Sequence, residues 1–187
     1  MGTLSYTAAI SVDGFAADAD GDFQWTAPGG EVFRFHIERL AKVSTEILGR
    51  TTYELMHYWE TPPEGEEWGE DEHEFARRWQ ALDRIVVSTT LGTSDVHGER
   101  TRLVDHLELD ELRRIVDEAE HEVEIFGPTT AAPAIRAGLV DDFHLLIVPK
   151  AVGSGLAAFP ADANVDLQLA EQRLFDDGTA YMHYTRK

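Results

Sequence analysis

Residues 46–56 read EILGRTTYELM. The apolar pair Ile47-Leu48 ends a strand, and the Tyr-Glu-Leu-Met that follows has helical character. Thr51 and Glu54 stand at the spacing of a capping box, with Thr51 as N-cap and Glu54 at the third helical position. That accounts for both residues and leaves Gly49 and Arg50 over. A glycine lets backbone or ligand come close. An arginine at a helix N-terminus adds positive charge where the dipole is already positive, a cost of roughly a few tenths of a kcal/mol. An anionic ligand would reverse that sign, because helix N-termini bind anions. The alternative is a surface ion pair made by Arg50.

Outward from this junction, strand-like and helix-like segments alternate. LSYTAAISVDGF (4–15) is a strand closed by the turn signal Asp13-Gly14. A polar loop follows, closed by Pro28 and two glycines. EVFRFHIERLAKVS (31–44) spaces Val32, Phe33, His36, Ile37, Leu40 and Ala41 as a helix, and TEILG (45–49) is the short strand before the junction. TTYELMHYW is helical until Pro62-Pro63, and EGEEWGEDEHE (64–74) reads as a solvated loop. Beyond it come helix EFARRWQAL, strand DRIVVSTTL, helix DELRRIVDEAEHE, strand VEIFG, helix TTAAPAIRAGL and the long strand VDDFHLLIVPKAVG. The tail (167–187) reads as two strands joined at Asp177-Gly178, a hairpin signal. The expected fold is therefore a three-layer α/β/α domain. Its mostly parallel mixed sheet is covered on both faces, with a C-terminal antiparallel hairpin at one edge. At 187 residues, with no repeat and no linker, one domain spanning 1–187 is expected.

Composition narrows the function. The chain has no cysteine, which excludes disulfides, thiolate metal sites and a cysteine nucleophile, and points to a cytoplasmic protein. Leu4 to Val12 already reads as a strand with no basic start before it, so no secretory leader is expected. No apolar run reaches the ~20 residues of a membrane helix. The formal net charge of −19 argues against nucleic acid as a partner. It also means that an anionic ligand needs a local positive site inside a negative field.

Two more strand ends carry unusual residues, and in sheets of this type ligands sit where strands end and helices begin. Ser88, Thr89 and Thr90 crowd the end of VVSTTL, where hydroxyls can donate to phosphate oxygens, although threonine also suits strands for its own reasons. In IFGPTTAAPAI a strand ends in Gly127-Pro128, and Thr129 and Thr130 can cap the next helix. This is either an anion-binding nest or simply a capped turn. Eight histidines are scattered without H-x-x-x-H or H-E-x-x-H spacing and read as structural or surface residues. The acidic run DADGD (18–22) lacks the glycine and glutamate positions of a calcium loop. No metal site is expected.

Taken together and in order, these pieces resemble the dihydrofolate reductase superfamily. LGRTTYE is similar to that family's G-R-x-T-W/Y-E signature, VVSTT to its strand ending in small hydroxyls, and FQWTAPGGEVFRF to its segment before the substrate-facing helix. The later stretch, IFG…IRAGLVDDFHLLIVPKAVGSG, looks closer to one branch: the reductase domain of the riboflavin-pathway deaminase-reductases and their small stand-alone relatives. The resemblance covers roughly residues 4–186.

The resemblance implies an NADPH-dependent reductase. The substrate would be a small heterocycle or carbonyl, such as a pteridine or a 5-amino-6-(5-phosphoribosylamino)uracil-type pyrimidine. Gly49, Arg50, Thr51 and Thr52 would hold the cofactor's phosphates, and Ser88, Thr89 and Thr90 would face its adenosine end. Gly127, Pro128, Thr129 and Thr130 would lie against the pyrophosphate and nicotinamide, and Ala9 would pack near the nicotinamide. Where the family has a cis Gly-Gly bond this chain has Gly127-Pro128, and a cis bond is expected there too, because X-Pro pays only ~0.5–1 kcal/mol for it. Trp25 and Phe35 would border the substrate. Glu31 falls one position out of register with the family's acid; as a candidate catalytic group, it would have its pKa raised by burial beside Trp25 and Phe35. Otherwise, it is a first-turn glutamate stabilising a helix dipole. A homodimer is expected by the same resemblance. The alternative function is a non-catalytic nucleotide-binding or regulatory module.

Overall fold

The computed structural model describes residues 2–187. Strand β1 (Leu4–Ser11) leads through a short strand β2 (Phe15–Asp18) to helix α1 (Gly30–Leu40). Strand β3 (Val43–Gly49), α2 (Arg50–Met56), α3 (Glu70–Ala81), β4 (Asp83–Val87) and β5 (Thr101–Val104) follow. Then come α4 (Leu109–Glu118), β6 (Glu122–Phe126), α5 (Pro128–Arg136), β7 (Asp142–Val148), β8 (Gly155–Ala157), β9 (Leu167–Leu174) and β10 (Ala180–Arg186). The eight-stranded sheet has the order β5-β4-β3-β6-β1-β7-β10-β9, and β2 and β8 form a separate two-stranded ribbon. Strands β5 through β7 in that order pair in parallel. Among the described residues of this sheet β10 alone runs against the others, pairing antiparallel with both β7 and β9, as the closing hairpin signal implied.

The period of two along each strand separates two unlike faces. Leu4, Tyr6, Ala8 and Ile10 of β1, Ile47, Val123, Ile125, Phe143 and Leu145 gather against Leu112 of α4 and Ala131, Ala134 and Ile135 of α5. On the opposite face, α1, α2 and α3 close over Leu48 and Val86, with Trp79 of α3 fully buried among them. Beneath α1, that second face is polar. Ser5, Thr7, Glu46, Glu124 and His144 are all buried. Arg39 of α1 answers them, pairing with Glu122 at 2.6 Å and Glu124 at 3.0 Å. Burial favours a neutral Glu122, but the His144, Arg39 and Ser5 side chains outweigh it and hold its carboxyl at about 2. Glu46 makes no ion pair among the described residues, and the more distant Arg84 only partly offsets its surroundings. Burial and the nearby Glu124 push it up to about 8, and it accepts a hydrogen bond from Trp79 Nε1 at 2.7 Å.

The structure corrects three local expectations. Arg50 is already the first residue of α2 and Gly49 its extended N-cap, so Thr51 lies inside the helix and the capping box is absent. The β3–β4 pairing runs as far as Gly49 and leaves no residue between strand and helix. The second half of the acidic stretch is not loop: Glu70, Asp71 and Glu72 form the first turn of α3, where carboxylates suit the helix dipole. The short strands β2, β5 and β8 were not legible in the sequence.

Candidate functional site

Parallel pairing puts the carboxyl ends of β4, β3, β6, β1 and β7 along one edge of the sheet. The register sets Gly49 beside Val87 and Leu48 beside Phe126. The three singled-out junctions are therefore on adjacent strands and span about 10 Å, two strand spacings. The β3–α2 and β6–α5 turns are laced together. A side chain at Gly49 would meet Thr130 Oγ1 at 2.6 Å, and one at Gly127 would meet Thr52 Oγ1 at 3.3 Å. Gly127 also has φ 108°, a conformation that glycine alone takes without strain.

Both helices start without a side-chain cap. Their first-turn N–H groups are the donors that a cap would satisfy. Beside them stands Arg50, exposed and, among the described residues, without a carboxylate partner. Most other arginines in this acidic chain are paired, as in Arg100–Asp83, Arg102–Glu111 and Arg136–Asp162. Uncapped donors and a free guanidinium at one edge fit the phosphates of a dinucleotide. The surface ion pair weighed for Arg50 is absent among the described residues.

Next to these junctions, at the ends of β1 and β7, opens a cavity of about 190 Å³. Ala9, Leu146, Val148 and Pro149 form its floor, and Trp25, Pro28 and Val32 its apolar walls. His36 of α1 and Asp177 and Thr179 of the β9–β10 turn supply polar groups. Burial, partly opposed by Glu124 and assisted by Arg39, lowers the His36 pKa to about 4 and keeps the imidazole neutral at ordinary pH.

The model of the RibD C-terminal domain family matches residues 3–181. The chain belongs to the RibD C-terminal domain family. A relative within reach is YyaP of Bacillus subtilis (strain 168), 22% identical over 178 residues, which cover 94% of this chain and 90% of YyaP. Acinetobacter baumannii RibD superposes with a TM-score of 0.74 at 16% identity over 100% of this chain, which spans 58% of that one. Dihydrofolate reductase from Enterococcus faecalis, solved with NADP(H), superposes with a TM-score of 0.62 at 16% identity, covering 99% and 96% of the two chains. These likenesses establish a dihydrofolate reductase-like fold.

Within this RibD C-terminal domain the residues expected at the site divide into those on the edge and those turned away from it. Ala9 and Trp25 line the cavity. Gly49, Arg50, Thr51, Thr52, Gly127, Pro128, Thr129 and Thr130 meet at the laced junctions. Thr89 and Thr90 are exposed at the end of β4, but the buried Ser88 hydroxyl accepts the backbone N–H groups of Thr90 and Leu91, so it is occupied locally.

Other expectations are overturned. No cis peptide bond occurs among the described residues, so the Gly127–Pro128 bond is trans; the positive φ of Gly127 turns the chain into α5 instead. Phe35 does not line the cavity but packs into the core against Tyr181 and Phe175, at 4.5 and 5.4 Å. Glu31 is not among the residues lining the cavity; it accepts the Asp176 N–H and the Arg173 guanidinium, each at 3.1 Å. Those contacts hold its carboxyl below the usual range, the opposite of the expected rise.

His36, Thr179 and Asp177 were missed. The helical spacing had marked His36 as one residue of an apolar face, and nothing local marks a hairpin turn as a cavity wall. Asp13, expected only as a turn former, also accepts the Val152 and Gly153 N–H groups, at 3.2 and 2.7 Å, tying the two loops that flank the cavity.

Proposed function

We propose that this protein is a cytoplasmic NADPH-dependent reductase that transfers a hydride to a small heterocycle or carbonyl. One observation carries the reading: the unpartnered Arg50 and the uncapped starts of α2 and α5 lie on the same sheet edge as the cavity. The NADP(H) in the dihydrofolate reductase neighbour and the family membership support it.

In this reading Arg50, Thr51 and Thr52 hold phosphate oxygens, and Thr129 and Thr130 the pyrophosphate side. Pro128 lacks an N–H, so the first donor of α5 is that of Thr129. Thr89 and Thr90 face the adenosine end. Ala9, with no side chain beyond Cβ, leaves room for a flat ring against β1. The bound cofactor supplies the hydride, and the chain orients two rings and limits water. Two copies form a homodimer, a reading supported by the exposed outer strand β9 and open to a light-scattering mass measurement.

The engagement of Glu31 by Arg173 and the Asp176 N–H, outside the cavity lining, favours the second reading, a nucleotide-binding module without turnover. Titration with NADPH followed by nicotinamide absorbance against a panel of heterocycles and carbonyls separates the two. Binding with oxidation on one substrate is the expected result. Binding without oxidation across the panel supports the module, and absence of NADPH binding removes both.

A further inference from the structure

The opposite end of the sheet carries a second opening. Strand β3 runs from Val43 to Gly49, so its start lies about 20 Å from the candidate site. The first residues of β3, β4 and β5 and the last turns of α3 and α4 line an open groove of about 800 Å³ there, within the ~300–1,000 Å³ of small-molecule sites. Arg77, Arg78, Arg84, Arg100 and Arg102 all line it, although the chain as a whole carries a net charge of −19. Asp83, Glu99, Glu118 and Glu120 line it too, so placement decides which part is positive.

The two faces of the sheet separate these charges. On the face that α4 covers lie Glu118 and Glu120, and Arg102 pairs there with Glu111 of α4. Asp83 is already held by Arg100 at 2.9 Å, and Glu99 is an exposed residue of the loop before β5. On the face that α3 covers, the balance reverses. Arg77 and Arg78 share the single Glu74 carboxylate, at 2.7 and 2.5 Å, and Arg84 makes no ion pair among the described residues.

Arg84 is 4% exposed, and burying a cation without a counter-ion is costly. Its guanidinium lies 4.3 Å over the Trp79 ring. Its Nε donates to Thr101 Oγ1 at 2.9 Å and its Nη1 to the Trp79 carbonyl at 3.2 Å. These contacts fix the plane of the fork and leave Nη2 without a hydrogen bond among the described residues. Glu60 and Glu46 favour its charge only from a distance; burial outweighs them and holds its pKa below the usual arginine value. The Arg77–Glu74 pair is exposed, and such pairs contribute little and exchange readily for a ligand oxygen. A planar guanidinium matches phosphate oxygens in two-point contact.

We infer that the α3 side of this groove is a second anion site, taking the phosphate of a small phosphorylated molecule between Arg84 and the Arg77–Arg78 pair. The site stands apart from the Arg50 edge and does not rest on the reductase reading.

The test follows the isotope-labelled full chain by nuclear magnetic resonance during titration with inorganic phosphate at constant ionic strength, with sodium chloride as the control. Arg84 Nε and the backbone amides of Arg78 and Thr101 shift to saturation, with the same midpoint in Arg50→Ala. Arg84→Gln and Arg77→Ser each raise the midpoint about tenfold or more, the loss of one charge-assisted contact. Glycerol 3-phosphate shifts the same residues and competes with phosphate. Arg77 is exposed, so Arg77→Ser keeps the test open if Arg84→Gln does not fold, which circular dichroism shows.

Four results overturn the inference: shifts that sodium chloride reproduces, shifts confined to Arg50 and its neighbours, a midpoint unchanged in Arg77→Ser or in folded Arg84→Gln, or no effect of glycerol 3-phosphate. A less stable Arg84→Gln that binds phosphate as the parent does makes Arg84 only a tie between α3, β4 and β5.

Discussion

Arg50 carries two opposed energies. For α2 alone its charge is unfavourable at the N-terminus, while for an anionic ligand it is the free cation at the edge. Arg50→Ala should therefore weaken NADPH binding by about 10- to 100-fold, one charge-assisted hydrogen bond, and leave the melting temperature unchanged or slightly higher. A large fall in melting temperature with unchanged NADPH affinity would make Arg50 structural.

Glu46 makes a prediction about stability. Its carboxyl keeps a proton up to about pH 8 in the folded chain, whereas in the unfolded chain it loses it near the ordinary value of about 4.3. Between these values unfolding releases a proton, so this group's contribution to stability is complete at low pH and falls as pH rises towards 8. Glu46→Gln keeps an acceptor for Trp79 and removes the titration. Its melting temperature should exceed that of the parent at pH 8 and approach it at pH 5; an equal gap at both would refute the assignment.

Gly49 and Arg50 announced themselves in the sequence because they break the local rules of a helix start. His36 did not, because its spacing satisfies an amphipathic helix and only the tertiary placement of α1 opens it to a cavity. Glu46 was hidden for a similar reason: a single glutamate between a threonine and Ile47 reads as strand edge, and only the pairing of β3 on both sides buries it.

At the scale of elements, the turns between strands and helices were readable in type but not in fine geometry. The β6–α5 turn shows why. The sequence suggested that Pro128 would set the bend through its peptide bond, but the bend is made one residue earlier by Gly127 at φ 108° and ψ 133°. Gly127→Ala should cost about 1–3 kcal/mol of strain, aggravated by Thr52 Oγ1 at 3.3 Å from the new carbon. The same variant should also spread the laced turns and weaken NADPH binding. Chemical denaturation and a cofactor titration check both; an unperturbed variant would mean that the turn relaxes freely.

The order and type of the longer elements followed from periodicity, because each is long enough to repeat its pattern. Strands β2, β5 and β8 have only three or four residues, too few to show alternation, and they exist through their partners.

For the whole molecule, the charge of −19 and the local positive edge act over different distances. The general repulsion reaches as far as the Debye length, about 30 Å at 0.01 M salt and about 8 Å at 0.15 M. Raising salt across that range should speed NADPH association, the reverse of an enzyme that steers anions with a basic surface. Stopped-flow fluorescence tests this, and a monotonic slowing would show that the Arg50 edge dominates at long range. The acidic excess was plain in the composition, but where it is interrupted depends on which arginines find partners, which only the fold decides.

The β9–β10 hairpin has a further consequence for the order of assembly. Asp177 and Thr179, which line the cavity, belong to the turn between β9 and β10. Strands β5 through β7 pair with one another without the hairpin, so the parallel sheet can form first, and the cavity gains this wall only when β10 docks on β7.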